Sequence, residues 1–443
     1  MSVAGEPGYK ETALGWIPEN WEATQLASVA EVNPSRTKPR SDTDDVSFLT
    51  MGDVSESGRV ISKQVRPYQE VAKGFTSFID GDVLVAKITP CFENGKGALV
   101  SSLLGGIGFG STEFHVIRAF PDSVIPTFLY LHTRADVFRR LGEKNMVGSA
   151  GQKRVPAEFL RQYPMVLPPL PEQQKIAAIL TAVDDKLDVI ARQIEATQIL
   201  KQGLMQTLFS RGVGIQDSNG DWIPHTEFQD SELGAIPEGW AVKPLDNLAE
   251  SITVGIATST TEHYVEDGIP LIRNQNIKED FLDMSDLLKI SAEFDAKNKR
   301  KRVLEGDILT VRTGYPGVSC VVPKGLGYLQ TFTTLITRPN QKLICPSFAS
   351  SYFNSPQGKG LMLHQAAGGA QQNINAGNLK KLPVPVPPLV EQERIAGILA
   401  AVDKKRRSLE SKGQQFRIIK RGLMQKLLTG EWRVKLDSPT GSA

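Results

Sequence analysis

The sequence predicts an α+β protein: two tandem mixed α/β domains, each followed by a long helix, with the two helices paired to each other. Three observations carry this. An internal duplication at a spacing of 219 residues divides the 443-residue chain into two like units. Each unit closes on an apolar heptad seam. Between those edges the sequence is short-stranded, β-branched and punctuated by glycine and proline.

The duplication is read from its edges. Leu14-Gly15-Trp16-Ile17-Pro18-Glu19-Asn20-Trp21 returns as Leu233-Gly234-Ala235-Ile236-Pro237-Glu238-Gly239-Trp240, and Pro168-Pro169-Leu170-Pro171-Glu172-Gln173 returns as Pro387-Pro388-Leu389-Val390-Glu391-Gln392. Residues 167–188 and 386–407 share 13 identities in 22 positions, and Gly203-Leu204-Met205-Gln206 recurs as Gly422-Leu423-Met424-Gln425 in the same register. Between these anchors the offset slips: Asp80-Gly81-Asp82-Val83-Leu84 matches Glu305-Gly306-Asp307-Ile308-Leu309 at 225. Each unit therefore has conserved edges and a diverged interior. The tryptophan and proline of each leading edge are expected to anchor a core.

In the interiors, Asp82 to Ile88, Phe114 to Ile117, Asp307 to Arg312 and Thr333 to Thr337 read as strands, and residues 125–141 and 346–365 read as helices. The appended helices follow. Ile176, Leu180, Val183, Leu187, Ile190, Ile194, Thr197, Lys201, Leu204 and Leu208 alternate steps of four and three, with Thr197 and Lys201 off the apolar pattern. The second copy runs Ile395, Leu399, Val402, Arg406, Leu409, Gly413, Phe416, Lys420, Leu423 and Leu427. The Pro-Pro pairs forbid an earlier start, and Gly212 and Gly430 are plausible stops, giving about 38 residues or roughly 57 Å each. So long a seam cannot be buried by one small domain, and the other copy is the matching partner. The first helix has four Lys/Arg and five Asp/Glu, the second ten and four. Lys404-Lys405-Arg406-Arg407 reads as a solvated face or as a phosphate or partner contact.

Composition bounds the function. At 40% apolar and 23% charged the chain is globular, and Lys+Arg 51 against Asp+Glu 49 leaves a net charge of +2, so any affinity for nucleic acid must come from local patches. Cys91, Cys320 and Cys345 have no metal or redox spacing, and His115, His132, His225, His263 and His364 stand alone. The start of the chain has no basic-then-apolar leader and no apolar run approaches about 20 residues, which predicts a cytoplasmic protein. Nucleotide-binding loops, the Gly-x-Ser-x-Gly elbow and His-Glu-x-x-His are all missing, and the Pro-Pro pairs are followed by leucine where an amino-methyltransferase tetrad needs an aromatic. The chain reads as a binder without catalytic residues or a metal site of its own.

These residues converge on a family. Gly148-Ser149-Ala150-Gly151-Gln152-Lys153 running through to Pro168-Pro169-Leu170-Pro171-Glu172-Gln173, and Ala370-Gln371-Gln372-Asn373-Ile374 running through to the second Pro-Pro-Leu, closely resemble the specificity subunit of type I restriction-modification enzymes. The Gly-Asp-Ile/Val-Leu element and the leading edge fit the same family, so the resemblance runs from Leu14 to about Trp432. It implies target-recognition domains at 1–168 and 213–387, spacer helices at 169–212 and 388–430 pairing as an antiparallel coiled coil, and a tail at 431–443. It further implies recognition of an asymmetric, bipartite site in double-stranded DNA, with two methyltransferase subunits and restriction subunits attached. S-adenosylmethionine, ATP and magnesium would be held by those partners, none by this chain. The rival readings are a specificity module of another restriction or defence system and a coiled-coil scaffold that binds no DNA.

Base discrimination needs rigidly presented donors, while further Lys and Arg hold phosphates. Candidate DNA contacts are Lys87 and Thr89, aligned with Arg312 and Gly314 and joined by Thr313. Gln152, Lys153 and Arg154 align with Gln371, Gln372 and Asn373, in loops that solvent alone would also suit. The basic run Lys297, Lys299, Arg300, Lys301 and Arg302 suits phosphate contact. Helix pairing is assigned to Ile176, Leu180, Val183, Leu187, Ile190 and Ile194 against Ile395, Leu399, Val402, Leu409, Phe416 and Leu423.

Overall fold

In each domain the strand that follows the leading edge pairs with the last strand. In the computed structural model, which describes residues 5–39, 41–149, 151–365 and 373–436, Glu22–Gln25 lies antiparallel to Pro164–Leu167, and Ala241–Pro244 lies antiparallel to Pro383–Val386. Trp21 and Trp240, each just ahead of that pairing strand, are buried. Truncating either indole would cost about 3–5 kcal/mol. Pro168-Pro169 and Pro387-Pro388 then end the pairing, and the long helices begin at once, Leu170–Arg211 and Leu389–Leu428.

The diverged interiors share one sheet. Ala30–Val32, Phe114–Ala119, Val83–Ala86 and Gly97–Leu99 are neighbours in that order, all antiparallel. Ala249–Val254, Leu335–Pro339, Ile308–Thr310 and Ser319–Val321 repeat the order and sense. The Gly-Asp element explains its own persistence. Gly81 and Gly306 turn at φ 89° and 83°, where a Cβ is strained. Asp82 and Asp307 are buried, and each takes a two-pronged guanidinium from the neighbouring strand: Arg118 at 2.8 and 2.7 Å, Arg338 at 2.8 and 2.8 Å. Removing either arginine would strand a buried charge.

Beyond that sheet the interiors differ. The first carries a four-stranded sheet in the order Gln64–Pro67, Asp45–Leu49, Ile107–Gly110, Thr76–Ile79. The second carries Leu288–Ile290, Tyr264–Ile272 and Gln330–Thr331, with a small hairpin of Ile277–Lys278 and Phe281–Leu282. Each helix expected over 125–141 and 346–365 is two helices: Pro126–Arg134 and Asp136–Lys144, then Pro346–Asn354 and Pro356–Gln365. The breaks fall at Ala135 and Ser355, both extended (ψ 140° and 154°). Pro356 excludes Ser355 from the helical region; Ala135 has no proline after it and follows the packing of Phe128, Leu131 and Phe138.

Contacts cut both long helices in two. One unit joins the chain up to Val189 with the chain from Gly413 onward, and the other is Ile190–Lys412. Within the first, Ile176, Ala177 and Leu180 share a core with Met424, Leu427 and Leu428, and Lys420 Nζ meets Asp184 Oδ1 at 2.6 Å. Within the second, Met205, Leu208 and Phe209 share a core with Ile395, Ala396 and Leu399, and Lys201 Nζ meets Asp403 Oδ2 at 2.7 Å. Start meets end in both, so the helices pack antiparallel. All twelve residues assigned to pairing are buried or half-buried. Ala177, Met205, Phe209 and their duplicates widen the stripe at the helix ends, where the helix packs on its domain as well as on its partner.

The Glu-Gln pair that opens each helix ties it to the domain. Glu172 accepts from Trp21 Nε1 at 3.1 Å and pairs with Arg433; Glu391 accepts from Trp240 Nε1 at 2.9 Å, from the amides of Val213 and Gly214, and pairs with His225. Gln173 and Gln392 each bond three main-chain groups, including the amides of Ile125 and Cys345. Among the described residues no helix is long and apolar enough to cross a membrane.

Candidate nucleic-acid interface

In each unit the sheet's strand and the loop ahead of the spacer helix meet. Beyond Val83–Ala86, the Val155 amide donates to the Lys87 carbonyl and the Thr89 amide to the Lys153 carbonyl, both at 3.0 Å. Ile88 pairs with Arg154 across this short ladder. Beyond Ile308–Thr310, the Ile374 amide donates to the Arg312 carbonyl at 3.1 Å, and Arg312 Nε returns a bond to the Ile374 carbonyl at 3.3 Å. Two stretches that are about 65 residues apart in sequence thus form one donor-bearing rim, at the same place in both units.

The rims differ in charge. In the first, Arg154 grips Glu113 with contacts of 2.8 to 3.1 Å, and this guanidinium holds the Glu113 carboxyl below its usual range. Burial pushes the Lys87 amine below its ordinary value, while Glu113 pulls the other way; its Nζ donates to the Thr112 carbonyl at 2.8 Å. Thr89 Oγ1 donates to Glu93 at 2.7 Å. Gln152 and Lys153 are exposed. Glu113 was not evident from sequence because nothing in Thr112-Glu113-Phe114 marks it; only the fold sets it beside Arg154.

In the second rim Arg312 is half-buried, and Thr313 and Asn373 are exposed; Gln371 and Gln372 lie outside the described residues. Asn274 Nδ2 donates to the Thr313 carbonyl at 3.3 Å, bringing a third segment to the rim. Exposed Tyr315 follows at a tip turned by Gly314 and Gly317, at φ 85° and 89°. Sequence reasoning missed it, although Gly-Tyr-Pro-Gly directly after a basic strand end was a signal.

The basic run is not at this rim. Arg302 sits at the opposite end of the strand Ile308–Thr310, where Arg338 Nη2 reaches its carbonyl at 3.3 Å. Its guanidinium pairs with buried Asp295 and stacks on Tyr328 at 3.9 Å, so it is engaged within the domain. Lys297 pairs with Glu293 at 2.8 Å on its own helix. Lys299 and Arg300 are exposed and Lys301 half-buried, leaving these three available to an anion. Among the described residues no group of three or more His, Cys, Asp or Glu is placed to hold a metal.

Residues 18–197 and 237–415 match the family model for the type I restriction modification DNA specificity domain. Over 220 residues the chain is 36% identical to the type I restriction enzyme EcoAI specificity subunit of Escherichia coli, covering 48% of this chain and 37% of that protein. It is 35% identical over 195 residues to the EcoEI specificity subunit of Escherichia coli, covering 44% and 33%. The matched stretch thus spans only about a third of those two relatives. Against the putative type I restriction enzyme MjaX specificity subunit of Methanocaldococcus jannaschii it is 26% identical, covering 97% and 98%. The fold resembles the crystal structure of the type I restriction-modification S subunit from M. genitalium, with a TM-score of 0.56 at 16% identity over 92% of this chain and 96% of that one.

Proposed function

The chain belongs to the type I restriction-modification DNA specificity family, and from that premise we propose that it reads an asymmetric, bipartite site in double-stranded DNA for a type I complex. The observation that carries this is the repeated rim: one backbone junction in both units, bearing Lys87, Gln152, Lys153 and Arg154 in one and Arg312, Thr313 and Asn373 in the other. A shared scaffold holds the donors and different side chains read different bases. In this reading the two long helices are the spacer that sets an unread gap in the site. The chain itself is non-catalytic in this reading.

Partners follow from the duplication. Ile199 and Leu200 are 63% and 54% exposed on one helix, and Ile418 and Ile419 are 64% and 49% exposed at the duplicate positions on the other. A repeated apolar pair suits two copies of one partner, which we assign to the adenine methyltransferase subunits, with restriction subunits joining them. S-adenosylmethionine, ATP and magnesium belong to those subunits, and the assembly works where chromosomal DNA is, in the cytoplasm.

Mapping methylation after co-expression with the methyltransferase subunit tests the reading. Replacing residues 23–165 with a relative's interior should change one half-site and leave the other half-site and the gap intact. A graft that changes both half-sites, or a chain that directs no methylation, would overturn it.

A further inference from the structure

One helix position meets the interior of each domain, with opposite charge in the two copies. Asp188 and Arg407 are duplicates at the 219-residue spacing. Asp188 Oδ2 holds Arg59 Nη2 at 2.5 Å. Arg59 closes a turn in which its carbonyl accepts from the Ser55 amide at 2.9 Å, and Tyr130 pins the same turn through the Gly58 carbonyl at 2.9 Å. In the other unit the Arg407 guanidinium lies 5.4 Å from the ring centre of Phe281, and its Nη1 is buried without a hydrogen-bond partner. Phe281 follows Asp280 in the small hairpin, and Asp280 reaches Lys201 at 3.4 Å while accepting from Ser350 at 2.8 Å and Asn354 at 3.0 Å. Both contacts therefore join a diverged interior to a conserved helix.

We propose that position 188/407 is a brace between each interior and its own spacer helix, and that its inverted charge keys each interior to the half it occupies. An arginine-bearing turn suits a carboxylate; set against Arg407 it would meet a like charge. An aromatic face suits a guanidinium; set against Asp188, Phe281 would present its negative face to an anion. Asp188 and Arg407 are positioning residues in this account. Their consequence for DNA rests on the recognition function proposed above, whereas the brace itself rests on the contacts alone.

Amide hydrogen exchange on the full chain separates the two. Asp188→Arg and Arg59→Asp should each speed exchange at Ser55, Gly58 and Arg59 by about three- to tenfold, on the scale of an exposed pair turned repulsive. The double variant Arg59→Asp/Asp188→Arg should return it to near the wild-type rate, while the hairpin around Phe281 stays unchanged throughout. Arg407→Asp should show the converse, loosening residues 277–282 alone. A chain whose interiors are exchanged should loosen the transplanted Arg59 turn, and Arg407→Asp in that chain should tighten it. Unchanged exchange in Asp188→Arg, or a double variant no slower than the singles, would overturn the brace. If the singles lower affinity for one half-site and the double restores it, the brace positions the reader. If wild-type chain binds no DNA sequence in particular while the exchange cycle holds, the recognition reading fails and the brace stands.

Discussion

The two units use one scaffold with different tolerances for charge. Lys201 with Asp403 and Lys420 with Asp184 are the same interhelical pair, copied at 219 residues. In the second unit the pair is sealed, with side chains 9% and 2% exposed, and the interior adds Asp280 to it; in the first it is 18% and 21% exposed. The helix-opening glutamates go further: Glu172 pairs with Arg433, 40% exposed, and Glu391 with His225, whose side chain is 8% exposed, and these two partners are not duplicates of each other. Duplication copied the lysine–aspartate pair and the glutamates; the rest of each unit decided how dry they became. The difference teaches that equivalent contacts in a duplicated chain need not carry equal energy, because burial sets the cost of breaking them.

The comparison breaks most clearly at the lysines. Lys201→Met should cost about 3–5 kcal/mol, because buried Asp280 loses its cation and buried Asp403 keeps only Arg406 at 3.5 Å, whereas Lys420→Met should cost about 1 kcal/mol because water reaches Asp184. Denaturant unfolding of the full chain, with hydrogen exchange to show which unit opens, checks this; equal losses would erase the distinction.

Acid should divide the units in the other direction. Burial pushes His115 and His132, both in the first unit, down to about 4 from 6.5. The unfolded chain therefore takes up their protons first, so the stability they confer is full above about pH 6.5 and drains away between there and about pH 4. The loss is on the order of 3 kcal/mol per histidine at most. In the second unit burial pushes Asp280 up, so its folded form accepts a proton more readily than the unfolded chain and acid removes no stability through it. Exchange measured from pH 7 to pH 4 should show the first unit loosening ahead of the second, and simultaneous loosening would contradict the account.

Recognition separates the rims on a smaller scale. Arg312→Ala should weaken or relax the second half-site by about 1–3 kcal/mol while leaving the first unchanged, measured by binding to sites altered one base at a time. Neutralising Lys299 and Lys301 together should have the least selective effect: all sequences weaken alike, and the slope of log affinity against log salt falls by about one for each phosphate no longer neutralised. Sequence-dependent weakening in that variant would place the basic run at bases.

The duplication, the heptad seams, the Gly-Asp strands and the proline and glycine limits of the helices were all legible in the chain, because each depends on local geometry or on a period that neighbouring residues display. Lys201 looked like a fault in the seam for the same reason: a period shows where a side chain lies and cannot show that Asp403 and Asp280 converge on it. The split of residues 346–365 at Pro356 was written in the sequence, whereas the split at Ala135 came from packing. Glu113 beside Arg154, Arg302 turned inward onto Asp295, and Asn274 reaching Thr313 were decided by tertiary structure alone. Each joins segments between 7 and 41 residues apart, and the energy of such a contact depends on burial and mutual orientation, which no single stretch of sequence contains.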